Sequence, residues 1–167
     1  MIWWLWPLES SRPTHRSAIT PIPWPRCGTH MMMQFGWPMS QRCRASRQGV
    51  DAVVSLCRVN DDDLPADVEQ IDIRLIDIVG PDANPNLDFV LTDAVRLIEQ
   101  LRNEGRTVLL HCVACQSRTP TVAALYGAHK QGISGENALR DITSALPDAY
   151  PNSDFRAALN RLAPVTI

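Results

Sequence analysis

Lysine is almost missing from this chain of 167 residues: Lys130 stands alone against fifteen arginines. An arginine bias of that size fits a GC-rich coding sequence and points to a bacterial source. Net charge is equally scarce, at −2, so the chain lacks the general electrostatic footprint of a nucleic-acid-binding protein. Long apolar runs are missing too; the best, around Val108 to Leu110, is far too short to span a bilayer. The five cysteines follow no framework spacing, and no export signal precedes them: Pro7 ends the apolar start, with no basic residue before it and no small-residue cleavage site after. A membrane channel, a collagen-like rod and a disulfide-stapled toxin are excluded, and a reducing cytoplasm is the expected compartment. The length suits one domain with its own core.

What is present is unevenly spread. Residues 1–50 hold six arginines against one acid, Glu9, whereas residues 51–167 hold ten bases against seventeen acids. All five tryptophans and all five methionines precede residue 40. Pro21, Pro23 and Pro25 favour an extended track. Met31 to Phe35 reads as one strand and Gln41 to Gln48 as a short basic helix. Residues 1–47 are therefore expected to be an irregular, poorly ordered segment. A membrane-surface or partner-binding arm, and translated sequence upstream of the natural start, also fit this composition. The part before Ile19 is expected to be dispensable, while Ile19 to Met39 could supply a sheet edge.

Order begins near residue 48. Ala52 to Leu56 is a short β-branched run suited to a buried strand, and Ile71 to Ile78 alternates as a second strand. Asn84-Pro85 reads as a cap and first turn. Leu87, Val90, Leu91, Ala94, Val95, Ile98 and Leu101 then mark one face of a helix stopped by Gly105. Thr107 to His111 reads as a strand buried on both faces. Helices follow near Thr121 to His129, from Ser134 and from Pro151. Strands alternating with helices predict an α/β fold with a central, mainly parallel sheet flanked by helices over residues 48–167.

The chemistry concentrates in one loop. Cys112 and Arg118 are six apart at a strand-to-helix junction. So short a loop wraps one tetrahedral anion, its backbone N–H groups turned inward and the helix N-terminus adding positive charge. Val113, Ala114, Cys115, Gln116 and Ser117 would supply those groups, and Arg118 a planar two-point grip on phosphate oxygens. The same field favours a thiolate at Cys112, a nucleophile at neutral pH. His111 would buttress the loop, and the Thr119 hydroxyl would ease departure of the Cys112 sulfur.

His111-Cys112, five residues, then Arg118-Thr119 resembles the signature of the cysteine-dependent protein tyrosine phosphatases, closest to the small dual-specificity branch. The resemblance runs from about Val50 to Leu162. It implies a phosphocysteine formed on Cys112, phosphoryl binding by Arg118, and no metal or other cofactor. It also implies an aspartic acid upstream, on a mobile loop, to protonate the leaving oxygen. Asp82, in the loop Gly80 to Asn84, is the preferred candidate; Asp77 is the alternative, expected inside the strand. Asp88 reads as a charge complementing the helix dipole. One departure is Cys115, where many relatives carry glycine.

Cys112-Val-Ala-Cys115 also reads as a thioredoxin-like dithiol, and the same loop as a phosphate-binding pseudophosphatase. The uncharged loop and the acidic residues 51–167 argue against anionic membranes and towards a phosphoprotein or small phosphomonoester substrate.

Overall fold

The computed structural model describes residues 4–5, 50–59 and 66–164. The four strands are β1 (Trp4–Leu5), β2 (Ala52–Ser55), β3 (Glu69–Asp72) and β4 (Val108–His111). The four helices are α1 (Leu87–Asn103), α2 (Arg118–Gln131), α3 (Gly135–Ala145) and α4 (Ser153–Leu162). The sheet runs in the order β1, β4, β2, β3. β2 is parallel to both β3 and β4, with Ser55 beside His111, and β1 is antiparallel to β4. The expected mainly parallel α/β architecture is therefore present.

Period-two alternation divides the sheet into two apolar faces. Ala52, Val54, Val108 and Leu110 share one core with the four helices. Val53 and Leu109 point the other way and cluster with Val50 and Val68. α1 presents the apolar stripe read from its sequence: Leu91, Ala94, Val95, Ile98 and Leu101 are buried. α2 differs, because Thr119 to Ala128 are buried on every side. It is the central helix, which fixes the direction of its N-terminus and hence of the Cys112 loop. Phe155 at 1% exposure locks α4 into the same core, a burial worth about 1.5–3 kcal/mol.

Four expectations need correction. The second strand is shorter and earlier than Ile71 to Ile78. β3 ends at Asp72, and Ile76, Ile78 and Val79 are exposed, so apolar character past Asp72 reflects loop side chains rather than a buried pleat. Asp77 accordingly lies in that loop and not in a strand. Asn84 does not cap α1; its side-chain amide instead brackets Ile76, accepting from its N–H at 2.9 Å and donating to its carbonyl at 2.8 Å. Trp4–Leu5, within the segment expected to be irregular, forms a strand whose backbone pairs with Leu110 and Leu109. The strand expected over Met31 to Phe35 and the helix over Gln41 to Gln48 lie outside the described residues.

Candidate active site

β4 delivers His111 and Cys112 to the loop, and α2 begins at Arg118, earlier than the helix expected near Thr121. The segment between them alternates in depth. Cys112, Cys115 and Ser117 are buried, while Val113, Ala114 and Gln116 face solvent. The turn passes through Cys115 at φ 55°, in the left-handed region, where a side chain costs roughly 1 kcal/mol or more. That conformation turns the Cys115 N–H onto Cys112 Sγ at 3.2 Å.

Cys112 is held well below the ordinary thiol range, at about 5. Hydrogen bonding from the Cys115 side chain is the largest cause. Burial opposes it, and the Thr119 side chain and backbone and the Arg118 charge add to it. Thr119 is fully buried, and its hydroxyl has no other hydrogen-bond partner among the described residues. Cys112 is thus a thiolate near neutrality. His111 goes the other way. Burial chiefly, and the Arg118 charge in addition, lower it to about 4, against a hydrogen bond with the Cys112 backbone. It is a neutral strut whose Nε2 lies 2.7 Å from Ser55 Oγ across the β2–β4 pair.

Arg118 is positioned by backbone. Its Nη1 donates to the carbonyls of Leu56, at 3.2 Å, and Leu75, at 3.1 Å, one from each loop that follows β2 and β3. Its Nε is buried and makes no hydrogen bond among the described residues; the nearest counter-charge is Asp77 Oδ2 at 3.7 Å. A buried guanidinium N–H without an acceptor is costly unless a ligand supplies one.

The two candidate acids part company here. Asp77 enters the site, facing Arg118. Asp82 is exposed and makes neither an ion pair nor a carboxylate hydrogen bond among the described residues. The loop carrying Asp77 is fastened by Asn84 at Ile76, by Asp154 Oδ2 accepting from Gly80 N–H at 2.8 Å, and by Asn152. Asp88 stays structural, pairing with Arg161 at 2.7 Å.

Sequence reasoning missed Asn152 altogether. Its Nδ2 donates to Asp77 Oδ1 at 2.9 Å, and its Oδ1 caps α4 by accepting from Asp154 and Phe155. Its own N–H donates to Ser117 Oγ at 3.2 Å, while Tyr150 N–H donates to the Gln116 carbonyl at 2.6 Å. Residues 150–152 thus latch the Cys112–Arg118 loop on one side and the loop carrying Asp77 on the other. The one legible signal was an asparagine after Pro151 at a helix start, which announces a cap and nothing about its second polar end.

The Cys112 sulfur accepts from the Cys115 N–H, and the charge of the half-buried Arg118 acts on it. The family model described as the dual specificity phosphatase catalytic domain matches residues 34–163. The chain belongs to this family. Among curated relatives it is 29% identical to Dual specificity protein phosphatase 1 of Arabidopsis thaliana over 98 residues, covering 59% of this chain and 49% of that protein. It is 32% identical to Dual specificity protein phosphatase Mpk3 of Drosophila melanogaster over 93 residues, covering 56% of this chain and 22% of that protein. The chain thus matches about half of the first relative's length and less of the second's. Among solved structures, human DUSP28 shares the fold with a TM-score of 0.62 at 23% identity, over 72% of this chain and 82% of that one. Among the described residues no group of side chains could hold a metal ion, and no helix is long and apolar enough to cross a membrane.

Proposed function

We propose that the chain is a protein-tyrosine or dual-specificity phosphatase that hydrolyses phosphomonoesters through a phosphocysteine. The observation that carries this reading is the buried Arg118 Nε, which has no acceptor among the described residues, beside a Cys112 thiolate. A phosphate dianion in the loop would satisfy that N–H and the backbone N–H groups together. The Cys112 thiolate attacks phosphorus in line with the leaving oxygen, which takes a proton from Asp77. Water then attacks the phosphocysteine, Asp77 accepts its proton, and the sulfur departs as thiolate, assisted by the Thr119 hydroxyl. Asp77 takes the acid role in preference to Asp82 because it alone of the two faces Arg118. Arg118 stabilises the charge spread over the transferring oxygens in the transition state.

The substrate class that fits best is a phosphoprotein. The exposed loop residues Val113, Ala114 and Gln116 are uncharged and offer no second phosphate site. The thioredoxin-like reading is disfavoured because it leaves His111, Arg118 and Asp77 without a role. A nucleophile that works as a free thiol suits a reducing cytoplasm. The test is p-nitrophenyl phosphate hydrolysis by the full chain and by Cys112→Ser. Turnover in the first and none in the second is the expected result. Turnover that survives Cys112→Ser, or insulin reduction without phosphatase activity, would overturn the proposal.

A further inference from the structure

The large apolar side chains exposed among the described residues are Ile76, Ile78, Val79, Phe89, Val113 and Tyr150, each between 48% and 73% open to solvent. They are gathered rather than scattered. Ile76 and Ile78 flank Asp77 on the loop after β3, with Val79 next, and Phe89 follows in the first turn of α1. Val113 adjoins Cys112, and Tyr150 is tied to the same loop by its N–H, which donates to the Gln116 carbonyl at 2.6 Å. Polar contacts join these segments. Asp77 Oδ2 lies 3.7 Å from Arg118 Nε, and Asp77 Oδ1 accepts from Asn152, two residues after Tyr150. All of the exposed apolar residues but Phe89 thus stand on segments that meet beside Cys112 and Asp77.

Phosphoryl transfer explains none of this exposure. It uses the Cys112 sulfur, the Arg118 guanidinium, backbone N–H groups and a carboxylate, all of them polar or charged. The loop carrying Asp77 does not need its apolar side chains for attachment either. Asn84 holds Ile76 through backbone N–H and carbonyl, and Asp154 holds the N–H of Gly80. The Tyr150 ring is braced in place, with the Arg156 guanidinium carbon 5.3 Å from its centroid. Apolar side chains gathered around a polar centre mark a surface that another molecule covers.

We propose that this collar is a docking surface for the polypeptide on either side of the phosphorylated residue, and that the chain selects phosphoprotein segments whose flanking residues are apolar and not acidic. The inference rests on the phosphatase reading above and adds the sequence class of the substrate. Two observations choose this occupant. The collar is continuous with the groups that would take the phosphate, so one extended segment fills both at once. Charge then selects the flanks. Residues 51–167 hold ten bases against seventeen acids, so acidic flanks meet repulsion while apolar ones fill the collar and exclude water. An anionic lipid surface meets the same repulsion.

The full chain is assayed by steady-state kinetics on peptides with a central phosphotyrosine or phosphothreonine, flanked on both sides by valine and phenylalanine, by serine, or by glutamate. The expected order of kcat/KM is apolar, then serine, then glutamate, with roughly tenfold between the first two. Val79→Ser and Tyr150→Ser, each normalised to its own turnover of p-nitrophenyl phosphate, should each shrink the apolar preference several-fold. Equal kcat/KM across the three kinds of flank would overturn the proposal, as would a preference that survives both variants. So would a wild-type dimer, seen by analytical ultracentrifugation, that Val79→Ser dissolves, since a second copy would then own the collar. Failure of the phosphatase reading looks different: neither p-nitrophenyl phosphate nor any peptide is hydrolysed, and both proposals fall together. The peptide series on the wild-type chain decides the matter whether or not either variant folds.

Discussion

The side-chain amide of Asn152 donates to Asp77 Oδ1 at 2.9 Å while its carbonyl end caps α4, so one residue joins a helix start to the acid loop. That bond pairs an amide with a carboxylate already facing Arg118, and it holds that carboxylate in place.

Asp77→Asn is expected to lower turnover by about 10²–10³ on aryl phosphates with poor leaving groups. The loss on p-nitrophenyl phosphate should be much smaller, since that leaving group needs little protonation. Asp82→Asn should leave both near normal. Asn152→Ser keeps a capping hydroxyl but is too short to reach Asp77, so it should reproduce part of the Asp77→Asn pattern with little change in melting temperature. Steady-state kinetics on a leaving-group series checks all three variants. The reverse pattern, with Asp82 sensitive and Asp77 not, would reassign the acid.

The thiolate sets a pH dependence. Alkylation of Cys112 by iodoacetamide should rise with pH through a midpoint near 5, and Thr119→Val should move that midpoint upward. Stability follows with a definite sign. Cys112 titrates near 5 folded and near 9 unfolded, so its contribution is complete above 9 and is lost as pH falls towards 5. His111 titrates near 4 folded and 6.5 unfolded. The unfolded chain therefore binds that proton first, and stability falls further from about 6.5 down to 4. Urea unfolding across this range should show a decline on the acid side, and Cys112→Ser should flatten the part between 5 and 9.

Arg118→Lys should abolish turnover and weaken binding of vanadate, a phosphate mimic. A single ammonium cannot hold the carbonyls of Leu56 and Leu75 and also present a planar second edge to the anion. Isothermal titration separates the binding loss from the catalytic loss. Retention of vanadate affinity by Arg118→Lys would mean that backbone N–H groups alone bind the anion.

Gly135→Ala tests the scaffold away from the chemistry. A Cβ there would sit 2.9 Å from both the side-chain Cγ and the carbonyl oxygen of Leu159, on α4. Because one of those neighbours is backbone, α3 and α4 must separate, at a cost of about 1–3 kcal/mol. The urea midpoint should fall accordingly. An unchanged midpoint would mean that the helix pair shifts without loss.

Much of this molecule was legible in its residues alone. The β-branched run at Ala52 to Ser55, the stripe on α1 and the buried strand before Cys112 are local patterns, and period and composition identify them without a partner. Ser134 is such a case: it caps α3 through Asn137 N–H as a short polar side chain before a helix should. The loop from Cys112 to Arg118 was legible for the same reason, since its spacing and its strand-to-helix setting are both local.

What tertiary structure decided are the meetings between distant segments. Ile71 to Ile78 alternates like a strand, yet the chain leaves the sheet after Asp72, because pairing ends where β2 ends at Ser55. Asp77 and Asp82 are equivalent as aspartates upstream of a helix; only the fold brings one of them to Arg118. Asn84 looked like a cap and instead fastens Ile76, a choice set by where the loop passes rather than by the residue's own preference. Asn152 lies 75 positions from Asp77, and no periodicity links them. The Cys112–Cys115 spacing was plain in the sequence, but the left-handed turn that sets each sulfur against the other's backbone was not. Sequence by itself determined the elements and the chemistry of the loop, because hydrophobic period and residue type act over a few neighbours. Which carboxylate meets that chemistry, and what fixes it there, follow from packing around α2, which couples loops that the chain keeps far apart.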